Sequence, residues 1–392
     1  MRLLFISSFY LFPETRFGGS KRLYYFAREW SRRTELSVIC MDACREWTLG
    51  AAAPSEFKDF LMVPGAEFPD YAERLVRTTA DRRTFIASYD AQICGFMEGK
   101  RFDAIVLAFP WALTYLHSYL ADTDVPILYI EDDLLFEQFR MESIAQWNPI
   151  KKFWKWYRFR QTVSYYRPLM ARISRFIGIS AQEIDVMKTY FPDLESSIIQ
   201  YGIPMEEYPM LPIKETGRVI GFLGNFAHPP NLDALTWLLR TLAPAIRARC
   251  PEVTFLVAGK GIPEWAKGEA SARDWIEIRE NPPDLRGFYS DIHLLINPIR
   301  TGRGMRTKLI EAAAFGRPIL TTSLGGEGLE SLNLTLADNA ETLVEACARF
   351  WDDSGTTSAL IRNRETVVER FSLEKISGEF LSLISTHTEK GD

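Results

Sequence analysis

The stretch from Asn297 to Pro318 reads Asn-Pro-Ile-Arg-Thr-Gly-Arg-Gly-Met-Arg-Thr-Lys-Leu-Ile-Glu-Ala-Ala-Ala-Phe-Gly-Arg-Pro. Its residue types suit phosphate chemistry. Gly302 and Gly304 let a backbone approach a ligand closely. Arg300, Arg303, Arg306 and Lys308 are cationic donors for phosphate oxygens. An apolar run precedes the glycines and a helical pattern follows them, ending at Gly316 with Pro318 just beyond. A helix N-terminus therefore opens beside the loop, and its unpaired N–H groups carry partial positive charge. A diphosphate is the guest that such a loop suits. Glu311 follows Lys308 by three residues, one turn deeper on the same helix face, where a carboxylate can accept hydrogen bonds from ribose hydroxyls. On the alternative reading, Lys308 and Glu311 are a surface ion pair and the glycines form a simple turn.

A second cluster is Glu131-Asp132-Asp133, directly after the apolar run Ile127–Ile130. In an open α/β sheet the carboxyl ends of central strands are where ligands bind. Acids crowded there raise one another's pKa, which suits proton transfer or recognition of sugar hydroxyls. The alternative is that Asp132 or Asp133 caps the helix carrying Phe136 and Phe139. His228 follows a glycine turn at an expected strand end and is a candidate donor contact, whereas His117 lies among Leu113, Leu116 and Leu120 and reads as structural. The 4 histidines have no paired spacing, so no metal motif is visible. The 5 cysteines are scattered and odd in number, which fits a reducing compartment better than a disulfide framework.

These groups need a scaffold, and the hydrophobic pattern supplies one. Short apolar runs alternate with longer helical patterns, as in βαβ units, so the fold class is α/β with mostly parallel sheets. The first strand series is Leu3–Ile6, Leu36–Ile39, Ala104–Leu107, Ile127–Ile130 and Phe176–Ile179, with a helix from about Lys21 to Arg32. A second series runs Arg218–Leu223, Val253–Ala258, Trp275–Ile278, His293–Ile296 and Pro318–Thr321. Two sheets are expected, in keeping with 392 residues, which exceed what one core usually organises. The segment 208–217, rich in proline and charge, reads as a linker, giving domains at 1–212 and 213–370 and a final helical segment within 371–392.

The glycine loop and its Lys-x-x-Glu-Ala helix, followed by Gly316-Arg317-Pro318 and a second glycine turn at Gly325-Gly326-Glu327-Gly328, resemble the donor site of the retaining, nucleotide-sugar-dependent glycosyltransferases of family 4. Gly221–Phe226 with His228-Pro229-Pro230-Asn231, Leu256–Gly261, Ser180–Glu183 and Tyr201-Gly202-Ile203 carry the same resemblance, and Gly18-Gly19-Ser20-Lys21-Arg22 is similar to the family's loop between first strand and first helix. The resemblance implies the GT-B fold: two Rossmann-like domains facing across a cleft, with a C-terminal helix returning to the first. It implies donor contacts at Gly18, Gly19, Gly224, Asn225, His228, Gly302, Arg303, Gly304, Met305, Arg306, Lys308 and Glu311. Reaction-centre roles fall to Asp132, Asp133, Lys308 and Glu311. No resident cofactor or catalytic metal is implied. Many members carry two glutamates eight positions apart; here the earlier position is Arg303, and the basic pair usual after the second domain's first strand is missing from Gly224–His228.

The implied activity is sugar transfer from a nucleoside diphosphate sugar to a glycan or lipid-linked acceptor, as in surface polysaccharide or glycoconjugate synthesis. A nucleotide-sugar epimerase, or a non-catalytic nucleotide-sugar-binding partner of another transferase, would show the same loop. The formal charge of −5 argues against nucleic-acid binding. No stretch has the ~20 continuous apolar residues of a membrane span, so a cytoplasmic protein is expected, peripheral at the inner face of the membrane if it binds lipid. Lys151–Arg175 bears on this: it holds eight Lys or Arg, seven aromatics and no acid. On a helix, Lys151, Lys155 and Arg158 would oppose Phe153, Trp156 and Tyr157, either resting on an anionic bilayer or docking the aromatic side into the first domain.

Overall fold

The computed structural model describes residues 1–8, 11, 18–41, 55–63, 90–117, 120, 123–132, 134–282, 284–302, 306–352 and 356–388. By its internal contacts the chain divides into Met1–Gly202 with Leu373–Asp392, and Ile203–Ser372.

The first unit is built on a parallel sheet of β1 (Arg2–Ser7), β2 (Glu35–Met41), β3 (Asp59–Val63), β4 (Ala104–Ala108), β5 (Ile127–Ile130), β6 (Arg175–Gly178) and β7 (Ser196–Ile198). Its order is β3-β2-β1-β4-β5-β6-β7. Central strands β4 and β5 are buried along their whole length, because helices cover both faces and leave no polar side to alternate with. Helix α1 (Gly18–Ser31) shows the complementary rule: Leu23, Phe26, Ala27 and Trp30, at helical spacing, are all buried. Against them lies the last helix, Leu373–Thr388, through Ile376, Phe380 and Ile384. Trp30 stacks on Phe26 at 5.3 Å and meets the Phe380 ring at 4.8 Å. Emptying such a site, as in Phe380→Ala, costs about 3–5 kcal/mol.

The second unit has a parallel sheet of β8 (Val219–Asn225), β9 (Thr254–Lys260), β10 (Ile276–Glu280), β11 (Leu294–Asn297), β12 (Ile319–Thr321) and β13 (Thr335–Leu336), in the order β10-β9-β8-β11-β12-β13. Strand order therefore reverses between β1 and β4 in one unit and between β8 and β11 in the other. Beyond the carboxyl ends of such strand pairs an open α/β sheet leaves a crevice.

Strands β3, β7 and β13 are additions to the sequence reading. They lie at or beside sheet edges, and the short β7 and β13 are largely exposed, so they lack the continuous apolar run that marks a central strand. The segment read as a linker is bound to the second unit for part of its length. The buried Arg317 guanidinium donates to the carbonyls of Leu211 (3.2 Å), Pro212 (2.8 Å) and Tyr289 (2.6 Å). The Leu211 N–H donates to the Phe315 carbonyl at 3.1 Å, and Tyr208 lies against the Phe315 ring.

Candidate functional site

Glycine governs the geometry at the β8/β11 switch point. Gly259, at the end of β9, has φ +144°, and a Cβ there would fall 1.8 Å from the Gly224 carbonyl oxygen. Only glycine allows β8 and β9 to close this tightly where β8 ends. Gly302 has φ +91°, and a Cβ there would meet Pro230 at 2.6 Å, so the loop after β11 lies directly on the start of the helix that follows β8. That helix, Pro229–Trp237, begins at His228, which is exposed and occupies the N-cap position without a side-chain cap. Gly224 and Asn225 form the last two residues of β8. Asn225 accepts the Ala227 N–H on its side chain at 3.2 Å and the Asn231 amide on its carbonyl at 2.9 Å.

The helix after the glycine loop spans Thr307–Ala314. It ends in a complete Schellman motif: Gly316 (φ +72°) donates to the Ala313 carbonyl at 3.1 Å and Arg317 to the Ala312 carbonyl at 2.8 Å. At the other end Arg306 is the N-cap residue and gives no side-chain cap. The positive end of the helix dipole lies at this end.

Lys308 is half-buried, its ammonium lying over the Phe222 ring at 4.9 Å and donating to the Leu223 carbonyl (2.9 Å) and the Asn231 side-chain oxygen (3.0 Å). Loss of water pushes its pKa down to about 7, and the Arg306 charge adds to the effect against a smaller opposing pull from Glu311. Glu311 is buried and accepts from the Tyr208 hydroxyl at 3.3 Å. Lys308 and Glu311 are therefore inward groups, and the surface ion pair considered from sequence does not describe them. Tyr289, whose hydroxyl donates to the Lys308 carbonyl at 2.9 Å, braces the same turn.

Gly224, Asn225, Gly302, Arg306, Lys308 and Glu311 are brought to one end of one sheet. Arg303, Gly304 and Met305 lie outside the described residues. Arg300 leaves the group: it forms a two-pronged pair with Asp233 (2.8 and 3.2 Å) and stacks on Trp237 at 4.5 Å. Asn231 is a participant to which sequence reasoning gave no role of its own. Its part follows from bridging the β8 end to Lys308, a contact between positions 77 apart.

In the first unit Gly18 and Gly19 are the opening residues of α1, which begins earlier than the helical pattern indicated. Buried Arg22, one turn on, pairs with Asp132 and donates to the Ile199 carbonyl at 2.8 Å, tying α1, the end of β5 and the turn after β7 together. Asp133 lies outside the described residues. Glu131 accepts from the Leu135 N–H at 2.9 Å as the helix Leu135–Ala145 begins. Its other oxygen accepts from the Tyr129 hydroxyl at 2.7 Å, and the Tyr166 hydroxyl sits 3.1 Å from both oxygens. Burial raises Glu131 to about 7 against these stabilising hydrogen bonds.

Phe109 stands at the β1/β4 switch point with φ +66°. A left-handed backbone costs a non-glycine residue about 1–2 kcal/mol. It is held there by its N–H donating to the Ile130 carbonyl at 2.8 Å, and by Ser8, which donates to the Ala108 carbonyl and accepts the Ala112 N–H at 2.8 and 3.0 Å. Strain of this kind concentrates at ligand sites. No sequence signal marks it, because phenylalanine has no preference for that conformation. His117 closes the short 3₁₀ helix Ala112–His117.

Residues 217–353 match the family model described as "Glycosyl transferases group 1". An "Uncharacterized 44.6 kDa protein in cps region" of Klebsiella pneumoniae is 32% identical over 114 residues, which are 27% of this chain. The chain thus spans 29% of the length of that curated relative. Solved structures are similar over the whole chain. Sucrose-phosphate synthase (tll1590) from Thermosynechococcus elongatus superposes with a TM-score of 0.74 at 13% identity, covering 100% of both chains. Anabaena Alr3699/HepE in complex with UDP gives 0.67 at 14% identity, covering 98% of this chain and 100% of its own. WaaG, a glycosyltransferase involved in lipopolysaccharide biosynthesis, gives 0.63 at 15% identity, covering 97% and 99%. The fold, α/β with two parallel sheets, is that of the GT-B glycosyltransferases, and the second unit carries the group 1 segment.

Proposed function

We propose that this chain is a retaining glycosyltransferase that moves a sugar from a nucleoside diphosphate sugar to a hydroxyl of a glycan or lipid-linked acceptor. The observation that carries the reading is the convergence of Gly302, Arg306, Lys308 and Glu311 at the β8/β11 switch point, inside the segment that matches the group 1 family. A related fold in Anabaena is known in complex with UDP and with UDP-glucose, which supports a nucleotide-sugar donor. The "cps region" of the Klebsiella relative and the lipopolysaccharide role of WaaG favour a surface polysaccharide or glycoconjugate as product.

In this reading the diphosphate lies at the N-terminus of the Thr307–Ala314 helix, where the N–H groups, Arg306 and Lys308 meet its charge. Glu311 takes the ribose hydroxyls. The bond between the anomeric carbon and the phosphate oxygen breaks while the acceptor oxygen bonds to the same face of that carbon. The acceptor's proton passes to the departing phosphate oxygen, so no separate base is required. Charge on the leaving diphosphate grows as the bond breaks, and the preorganised cations stabilise that growth more than they stabilise the bound donor. Asp132, held by Arg22, is the acceptor-side carboxylate of the reaction centre.

The test uses the purified chain with a panel of nucleoside diphosphate sugars, measuring nucleotide release and sugar products with and without acceptor. Transfer or donor hydrolysis supports an enzyme. Tight binding with neither outcome favours a non-catalytic partner, and release of an altered free sugar favours an epimerase. Lys308→Ala and Glu311→Ala should each lower turnover at least about a hundredfold, the scale lost when charge stabilisation is removed from a transition state. Full activity in both variants would overturn the donor assignment.

A further inference from the structure

Between β5 and β6 the first unit sends out a helical hairpin made of Leu135–Ala145 and Pro149–Met170. Its lower half is anchored normally, with Phe136, Phe139, Phe159, Val163, Tyr166 and Leu169 in the core. Its tip is different. Trp147, in the turn between the helices, is 95% exposed, and Phe153 and Trp154 are 56% and 57% exposed. Ile150, Phe153, Trp154 and Tyr157 recur at one helical face, and Met141 and Ile144 continue the apolar surface on the first helix.

These facts revise the face assignment made from sequence. Lys155 turns inward to pair with Glu142 at 2.5 Å, and Lys155 and Arg158 lie over the Phe139 ring at 6.0 and 5.8 Å. Phe153, Trp154, Trp156 and Tyr157 are exposed, while Phe159 and Tyr166 further along the same helix dock into the first unit's core. The turn itself is firmly made: Asn148 caps the second helix by accepting the Ile150 and Lys151 N–H groups, both at 3.1 Å, and Pro149 fills the first helical position. A tip held this rigidly with a Trp in the open is not accounted for by folding.

We infer that this hairpin tip is an anchor for the interface of an anionic lipid bilayer. Tryptophan and tyrosine on an otherwise apolar face are the residues that settle at the headgroup level of a bilayer. Lys151, Lys152 and Arg160 are exposed on the same stretch, and no Asp or Glu occurs from Ser143 to Gln182. That charge is complementary to anionic headgroups, and it opposes self-pairing, because a second copy would bring uncompensated lysines face to face. No helix among the described residues is long and apolar enough to cross a membrane, so the contact is with the surface.

The test is sedimentation of the full chain with vesicles of phosphatidylcholine alone or with about one-third phosphatidylglycerol, in the absence of donor and acceptor, so that its outcome does not depend on the transfer reaction. Wild type should bind the anionic vesicles. Lys151→Gln with Lys152→Gln should weaken binding about 25-fold, roughly fivefold for each cation lost near the surface. Trp147→Ser with Phe153→Ser and Trp154→Ser should abolish it while the thermal midpoint stays unchanged, since all three side chains are solvent-exposed. Absence of wild-type binding, or equal binding by the triple variant, would overturn the inference. So would a wild-type dimer that the triple variant converts to monomer without any vesicle binding.

Discussion

On the proposed donor role, Lys308 should make donor affinity depend on pH. Its pKa of about 7 in the free protein comes chiefly from lost hydration, so the amine is cationic below that value and neutral above it. A diphosphate binds the cationic form. Above pH 7 the complex must take up one proton, and the apparent dissociation constant rises about tenfold per pH unit, reaching ~100-fold, or ~3 kcal/mol, near pH 9. The rise stops where the pH passes the amine's pKa in the complex, which the added negative charge moves upward. UDP, the nucleotide held by the Anabaena structure, is a suitable probe, since its terminal phosphate, with a last pKa of about 6 to 6.5, is almost wholly ionised above about pH 7.5 and its residual titration below that is corrected from the free nucleotide. Calorimetric titration between about pH 7 and 9, in buffers of different ionisation enthalpy, reads both the affinity and the proton uptake. Lys308→Arg should give a flat profile, because a guanidinium does not titrate there. Lys308→Met should be flat and weaker by about 10–100-fold, the worth of a charge-assisted hydrogen bond. Constant wild-type affinity with no proton uptake, or an unchanged slope in the methionine variant, would refute the role given to this amine.

Two further outcomes follow from buried charge. Glu131 holds its proton more tightly folded (about 7) than its ordinary value of 4.5, so the folded state binds the extra proton and stability falls as pH rises from about 4.5 to 7. Urea titrations at pH 5 and 7.5 should show up to ~3 kcal/mol of decline in wild type and little in Glu131→Gln, whose oxygen still accepts from Leu135; equal declines would show that other groups set the profile. Arg317→Ala should destabilise the second unit by about 3–5 kcal/mol, since it strands the carbonyls of Leu211, Pro212 and Tyr289. A loss under about 1 kcal/mol would show that water replaces the guanidinium.

What could be read from the sequence was whatever short-range pattern determines. Central strands such as β4 and β11 announce themselves as apolar runs, and the Thr307–Ala314 helix by the glycines and proline around it. The Lys308 and Glu311 positions follow from helical spacing alone. Long-range pairings could not be read. That Arg300 turns to Asp233, or that Asn231 holds Lys308, depends on how β8 and β11 lie side by side, and neither stretch records the other. Glu131, Asp132 and Asp133 are chemically near-equivalent in sequence. Tyr166, 35 positions away, and Arg22, 110 positions away, distinguish the first two.

The route of the chain has a consequence for its synthesis. Residues of the first unit flank the whole of the second, at Met1–Gly202 and Leu373–Asp392. Translation proceeds from the amino end, so the second unit is complete and free to fold while Leu23, Phe26 and Trp30 still lack their cover. Phe380 and Ile384 reach them only after the whole of the second unit has been made. A message cut short after position 372 would yield a finished second unit attached to a first one whose α1 face stays uncovered. Such a product is a substrate for chaperones and proteases, and the Leu373–Thr388 helix is the segment that closes the exposed face.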